Sequence, residues 1–320
     1  MKQVGECMAG IKEIAEKAGV SISTVSYALN GSSRVSVKTR DKILSIAEEM
    51  NYIPNLAGQN LRRQRTNIIA VYLTSYQGSF FGDLLQGMHQ KANDLGMELI
   101  VCSGKRSRLF LPQRLIDGIL VLDKNFSDSE LLKYADQSYP IVVLDRTLKH
   151  ESIRSVLLDN EKGSTQAMQS LINEGVDKIY IISGPENNHD SIERKKAAVA
   201  AAEAQEIEYD IIPGQFNEIS GYQAGDKVVF EPEKTYGVFA LNDEMGLGIH
   251  KYLTEHNIVI NKDVFIRGFD RNQVTGYLTP PIKSVAYSKF DFGATAVGIL
   301  NKLIKEEAVD NKTISTYFEE

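Results

Sequence analysis

The sequence predicts two kinds of fold in one chain: a small all-α head containing a helix-turn-helix, and a larger α/β body of two lobes built on doubly wound parallel sheets. Three observations carry this. Up to residue 66 the chain shows short helical periodicities punctuated by glycine. From Asn67 onward, apolar strand-like runs alternate with amphipathic helical stretches, and after Asp159 that alternation starts again. The length of 320 residues is also too great for one compact domain.

In the head, Ile11, Ile14, Ala15 and Ala18 fall at the i, i+3, i+4, i+7 spacing of a short helix, and Gly19 ends it. Ser21 caps a second helix that runs to Leu29. Val20, Val25 and Leu29 pack inward, which leaves Ile22, Ser23, Ser26 and Tyr27 for another surface. Asn30-Gly31 closes that helix, and Ser36 caps a third that reaches about Met50, with Ile43, Ile46, Ala47 and Met50 on one face. Two short helices joined by a tight glycine turn form a unit whose second helix fits a DNA major groove. Pro54 then breaks the helix, and Asn55 starts one further short segment ending in Arg62-Arg63. So short a helix does not persist alone in water, and Gly58 weakens it by ~1 kcal/mol relative to alanine. Charge agrees with the division. Residues 1–66 hold ten Lys/Arg against six Asp/Glu, whereas the remainder holds 26 against 36. A basic head on an acidic body directs only the head toward an anionic polymer.

In the body, strands are predicted over 68–73, 97–101, 119–122, 141–144, 179–182, 236–240 and 264–266. Helices are predicted over 81–95, 163–175, 192–205, 244–256 and 292–307, followed by a terminal extended segment. Apolar strands alternating with helices imply parallel sheets covered on both faces. Ligands on such sheets bind beyond the carboxyl ends of the strands. The polar residues there are Thr74-Ser75, Asp145-Arg146, Ser183-Gly184-Pro185, Asn242-Asp243 and Gly268-Phe269-Asp270. Together with Arg194 they offer carboxylates, an amide and a guanidinium, which suit a polyhydroxylated ligand.

Several classes are excluded. No stretch has the roughly 18 to 20 uninterrupted apolar residues of a membrane span, and the amino terminus lacks the apolar run of an export signal. Two distant cysteines, Cys7 and Cys102, suit a reducing cytoplasm. The five histidines have no metal-ligand spacing. No phosphate-binding Walker loop, dinucleotide fingerprint or nucleophile elbow occurs, so neither a cofactor nor catalysis is expected. Asp243 and Asp270 are explained as cleft-lining groups without an acid/base role. The fused head argues against a secreted solute receptor.

The run Ile14-Ala15, Ala18-Gly19-Val20-Ser21, Thr24-Val25-Ser26, Leu29-Asn30, Val35-Ser36, Thr39-Arg40, Asn51-Tyr52, Pro54-Asn55 and Leu61 resembles the lactose/galactose repressor family of bacterial transcription regulators. The resemblance continues through Phe80-Phe81, Asp145-Arg146, Asp159-Asn160, Ile182-Ser183-Gly184-Pro185, Arg194, Asn242-Asp243, Gly268-Phe269-Asp270 and Ser284-Val285. It implies a repressor controlled by a small effector, a sugar or sugar derivative, held between two lobes similar to periplasmic sugar-binding proteins. It implies phosphate contacts from Ser21, Thr24 and Asn30, a backbone contact from Tyr52, and base reading by Ile22, Ser23 and Tyr27. It makes the segment from Asn55 a hinge helix that folds in the minor groove, with Leu61 as the wedge between base pairs. Phe81, Asp145, Arg194, Asn242 and Asp270 become the effector shell. The expected organisation is 1–54 for the DNA-binding head, 55–66 for the hinge, 67–158 with 288–320 for the first lobe, and 159–287 for the second. The partners implied are double-stranded operator DNA, the effector and a second copy of the chain, with no membrane. A global carbon-catabolite regulator answering to a phosphocarrier protein is the alternative within the same family. Four departures stand out. Tyr27 replaces the usual arginine, Gly58 the usual alanine, and Lys289 a usual aromatic, while 103–114 is about eight residues short.

Overall fold

The computed structural model describes residues 10–52, 65–76, 80–231 and 233–318. The chain divides into two compact units, Met1–Gln64 and Arg65–Glu320. The proposed hinge residues Asn55, Gly58 and Leu61, and Cys7, lie outside the described residues.

Among the described residues the head holds three helices: α1 (Ile11–Ala18), α2 (Ile22–Leu29) and α3 (Val37–Glu49). Glu13 reaches back to the Gly10 amide at the start of α1, and Gly19 ends it at φ 70°, a left-handed conformation that glycine adopts without steric cost. Ser21 and Ser36 accept from the amides of Thr24 and Thr39, as N-caps do. Ile14, Val25, Ala28, Val35 and Ile43 form a buried core, with Val20, Leu29, Met50 and Tyr52 packed at its margin.

The body opens with β1 (Ile68–Leu73), α4 (Phe80–Asp94) and β2 (Glu98–Cys102). A 3₁₀ turn, Arg106–Phe110, replaces any α-helix before β3 (Gly118–Leu122), consistent with the short sequence there. α5 (Asp128–Ala135), β4 (Ile141–Val143) and β5 (Ile153–Leu158) complete this first series. The second series comprises α6 (Asn160–Asn173), β6 (Lys178–Ser183), α7 (His189–Ala204), β7 (Glu208–Pro213), α8 (Glu218–Gly225), β8 (Tyr236–Ala240), α9 (Asp243–Glu255), β9 (Val264–Phe269) and β10 (Lys283–Ala286). After it come α10 (Lys289–Ile304), β11 (Lys312–Ile314) and β12 (Tyr317–Phe318).

The strands form two six-stranded sheets, ordered β11-β5-β4-β3-β1-β2 and β12-β10-β9-β8-β6-β7. The pairings are parallel except β10 with β12. Each series thus repeats one winding, in which the chain starts centrally, steps outward once and then reverses. The reversal point is β1/β3 in the first sheet and β6/β8 in the second, where doubly wound sheets open a crevice at the strand ends. Central strands are buried on both faces, as β8 shows at all five positions. The segment from 288 onward, expected in the first lobe, adds α10 and β11 there, but its last strand, Tyr317–Phe318, joins the second sheet. The two series therefore contact through three connections: β5 to α6, β10 to α10, and β11 to β12.

Candidate DNA-binding surface and effector cleft

The exposed side of α2 follows from its caps and its period. Val25 and Ala28 face inward, and the intervening positions face out. Ile22 is 45% exposed, Tyr27 is 40% exposed, and Ser23 is exposed beside them. Ser21 lies next to both neighbours' hydroxyls, with its Oγ 2.8 Å from those of Ser23 and Thr24. Thr24 is half-buried, and its hydroxyl leans on the cap. Asn30, the C-cap, donates from Nδ2 to the Ser26 carbonyl at 2.6 Å. Tyr52 is half-buried against the helical core. Of the nine positions named for the head and hinge, Ser21, Ile22, Ser23 and Tyr27 are exposed on α2 and its cap with Thr24 half-buried among them, and Asn55 and Leu61 are outside the described residues.

In the body the crevice ends of both sheets are lined by side chains that the caps and strand ends fix in place. Arg194, on α7, is 3% exposed. Its Nε donates to Asn160 Oδ1 at 2.8 Å, its Nη1 donates to the Leu241 carbonyl at 2.7 Å, and Nη1 also lies 3.5 Å from Asp270 Oδ1. The guanidinium carbon stacks 3.6 Å from the Phe269 ring centroid. Asn160 extends the chain by donating to Asp190 Oδ1, and Tyr287 Oη donates to Asp270 Oδ1 at 3.0 Å. The result is a continuous polar chain, Asp190–Asn160–Arg194–Asp270–Tyr287, along the ends of β5, β8, β9 and β10. Burial pushes the Asp270 carboxyl above the usual carboxylate range despite Arg194 and Lys289 nearby. Burial, with the Asp270 charge behind it, also lifts the Tyr287 phenol.

Asp145, past β4, is also largely buried, and burial raises its carboxyl even though Arg146 pairs with it through two hydrogen bonds of 2.7 and 2.8 Å. A smaller contribution in the same direction comes from the charge of Asp190, in the second series. Arg146 spends its remaining donors on Asp128 and on the Asp123 and Phe126 carbonyls, which ties the strand ends of the first sheet together. Asn242 caps α9 by accepting from the Met245 amide, and donates to the Phe216 carbonyl. Phe81, half-buried in the first turn of α4, meets Phe80 edge-on.

Sequence reasoning named Arg194 and Asp270, which are in contact, and Asp145 and Asn242, whose polar atoms already have protein partners. It quoted Asp159-Asn160 for the resemblance without placing Asn160 in the effector shell, and it passed over Asp190 and Tyr287. Lys289 is buried at the start of α10, and its Nζ donates to the carbonyls of Asp270 and Arg271. These two carbonyls belong to residues with φ of 101° and 44°, so the lysine grips a turn in an unfavourable conformation. A cavity of 610 Å³ opens beside this turn, lined by Asp83, Arg271, Gln273 and Lys289 among others. None of the five sequence-named effector residues lines it. Among the described residues no cluster of three His, Cys, Asp or Glu side chains is placed to hold a metal ion, and no helix is long and apolar enough to cross a membrane.

Residues 10–55 match the model of bacterial regulatory proteins of the lacI family, and residues 168–317 match a periplasmic binding protein-like domain. The chain is 30% identical over 288 residues to a probable HTH-type transcriptional repressor, ExuR, of Bacillus subtilis, covering 87% of this chain and 86% of that one. Among solved structures, a sugar-binding transcriptional regulator of the LacI family from Enterococcus faecalis is 42% identical, with a TM-score of 0.75 over 81% of this chain and 97% of that one. The lac repressor dimer bound to operator and the anti-inducer ONPF shares the fold, with a TM-score of 0.84 at 24% identity over 98% of both chains. A helix-turn-helix head, a twice-wound body and relatives that match along nearly the whole length leave one conclusion: the chain belongs to the lacI family of bacterial regulatory proteins.

Proposed function

We propose that this regulator is a homodimeric, cytoplasmic repressor whose affinity for operator DNA is set by a sugar or sugar derivative bound in the crevice between two lobes. In this reading 67–158 with most of 288–320 forms one lobe, 159–287 the other, and 55–66 a hinge segment joining them to the head at 1–54. Ser21, Thr24, Asn30 and Tyr52 contact the DNA backbone. Ile22, Ser23 and Tyr27 face the bases, while Asn55 and Leu61 act in the minor groove. Arg194 and Asp270 hold the effector, with Phe81, Asp145 and Asn242 around it. The observation that carries the reading is the Asp190–Asn160–Arg194–Asp270–Tyr287 chain at the strand ends, buried except for half-buried Asp190, because alternating donors and acceptors held rigidly by neighbours suit vicinal hydroxyls. The sugar-binding Enterococcus faecalis relative supports a carbohydrate rather than another polyol.

The test screens neutral sugars, sugar acids and sugar phosphates against the full-length protein by thermal shift, since a ligand of the folded state raises the melting temperature. The active compound is then titrated into the protein bound to an operator selected from a random pool. The expected result is one sugar class that shifts both melting and operator affinity, and an Arg194→Ala variant that folds but responds to neither. Wild-type ligand affinity in Arg194→Ala would remove this residue from the site, and a selected operator unaffected by any sugar would remove the carbohydrate.

A further inference from the structure

The exposed face of α2 lacks the side chain that reads guanine best. Ile22, Ser23 and Tyr27 stand there, and none can offer the two parallel donors that match guanine O6 and N7. A guanidinium nevertheless reaches this face from outside the helix. Arg34 follows α2 by five residues, is exposed, and lays its guanidinium carbon 5.3 Å from the centroid of the Tyr27 ring. Its Nη1 donates to Tyr27 Oη at 3.2 Å, so the phenol holds one end of the fork beside the ring.

The loop that delivers Arg34 is tied at several points. Gly31 turns the chain at φ 66°, and the Ser32 amide donates to the Tyr27 carbonyl at 2.9 Å. The Arg34 amide donates to Ser32 Oγ at 3.3 Å, and Arg40 Nη2 donates to the Ser32 carbonyl at 3.0 Å. Val35, the next residue, is buried in the head's core. Of the two arginines among the described head residues, Arg40 is thus spent on holding the loop, while Arg34 is carried by it. Lys17 pairs with Glu49, and Lys42 caps α1 through the Ala18 carbonyl. A long side chain loses less freedom on binding when a neighbouring ring already orients it.

We propose that Arg34, positioned by Tyr27, is the guanine-reading side chain of this head, so that base-specific guanidinium recognition comes from the loop after α2 and the helix supplies the platform. This rests on the operator-binding reading and deepens it: the half-site carries a guanine although α2 has no arginine. Tyr27 is a positioning residue and Arg34 the contacting one.

The experiment selects binding sites from a random duplex pool with full-length wild type, Arg34→Ala, Arg34→Lys, Tyr27→Phe and Tyr27→Leu. Wild type is expected to enrich a pseudo-palindrome with one symmetric pair of strongly preferred guanines. Arg34→Ala is expected to lose roughly 10-fold or more of the discrimination at that pair alone. Arg34→Lys, which keeps the charge and donors but not the planar fork, should retain part of that discrimination while holding overall affinity. Tyr27→Phe, which keeps the ring, should retain more of the preference than Tyr27→Leu. If Arg34→Ala weakens every site equally and leaves the guanines preferred, Arg34 contacts phosphate and the inference is overturned. Unchanged affinity and preference in that variant overturn it as well. A wild-type protein that enriches no sequence defeats the operator-binding reading itself, and this inference with it.

Discussion

Asp243 is the first residue of α9, and its carboxyl is fully buried. Ser284 Oγ, Thr275 Oγ1 and the Asn272 amide all donate to it. Burial, reinforced by the neighbouring Asp270 charge, outweighs these donors and pushes the group up to about 7. An unfolded aspartate ionises near pH ~3.9. Between about 4 and about 7 the folded state therefore keeps a proton that the unfolded state has released, and stability falls as pH rises through that window. Asp270 moves in the same direction and adds to the slope. The melting temperature of the body is expected to decline between about pH 4 and about pH 7, and Asp243→Asn, which keeps the shape without the charge, should flatten most of that decline. A calorimetric series on both proteins checks this, and an undiminished slope in Asp243→Asn would assign it to other groups. Position in the sequence already marked Asp243 and Asp270, because polar residues directly after apolar strands are visible in one dimension. What each side chain is spent on was not visible. Asn242 looks the same as a ligand group in the sequence, yet its amide is divided between a helix cap and the Phe216 carbonyl.

Elements were legible in proportion to how apolar their buried faces are. The caps and periodicities of the head gave all three helices to within a residue or so, as Gly19 and Ser36 illustrate. α8 left no such trace, and the reason is its packing. Gly221 faces the Met245 backbone of α9, and Gly248 of α9 faces the Glu218 carbonyl, so closely that a Cβ at either position would collide with main chain. Where α8 meets α9 through glycines it buries backbone in place of large side chains, and no hydrophobic period marks α8. β7 was missed for a different reason: as an edge strand it is largely exposed, and its Glu208-Tyr209-Asp210 start reads as polar loop. The shortened stretch between β2 and β3 was legible as a deletion, but its replacement was not. There Arg108 is buried, donates to Glu130 at 2.8 Å and to the Asn125 carbonyl at 2.8 Å, lies 3.6 Å from Asp123, and stacks 4.3 Å from the Phe126 ring centroid. One arginine thus anchors the 3₁₀ turn to both the following strand end and α5. Removing a partner from a buried ion pair typically costs about 3 to 5 kcal/mol. Arg108→Met should destabilise the body by that order in urea unfolding while leaving the isolated head unaffected, and a loss under about 1 kcal/mol would mean the turn is held by its apolar residues instead.

At the scale of the whole molecule, the second series is a continuous stretch inserted into the first. The first sheet cannot be finished until β11 arrives, and α4 lacks its main partner until α10 does, since Gly87 of α4 takes the Phe290 backbone and Gly293 of α10 takes the Leu84 carbonyl at contact distances that exclude a Cβ. The second sheet, by contrast, is complete but for its short edge strand β12 once β10 has been made. This arrangement sets an order of assembly during synthesis, when domains otherwise form from the amino terminus onward. The lobe that begins first should finish last. A nascent chain halted with residues up to 287 outside the ribosome is expected to hold a protease-resistant second lobe beside a first lobe that is still cut readily, its α4 face and the edge of β5 uncovered. Extension past Ile314 should then protect both at once, which makes synthesis of residues 288–314 the step at which this regulator becomes safe from aggregation.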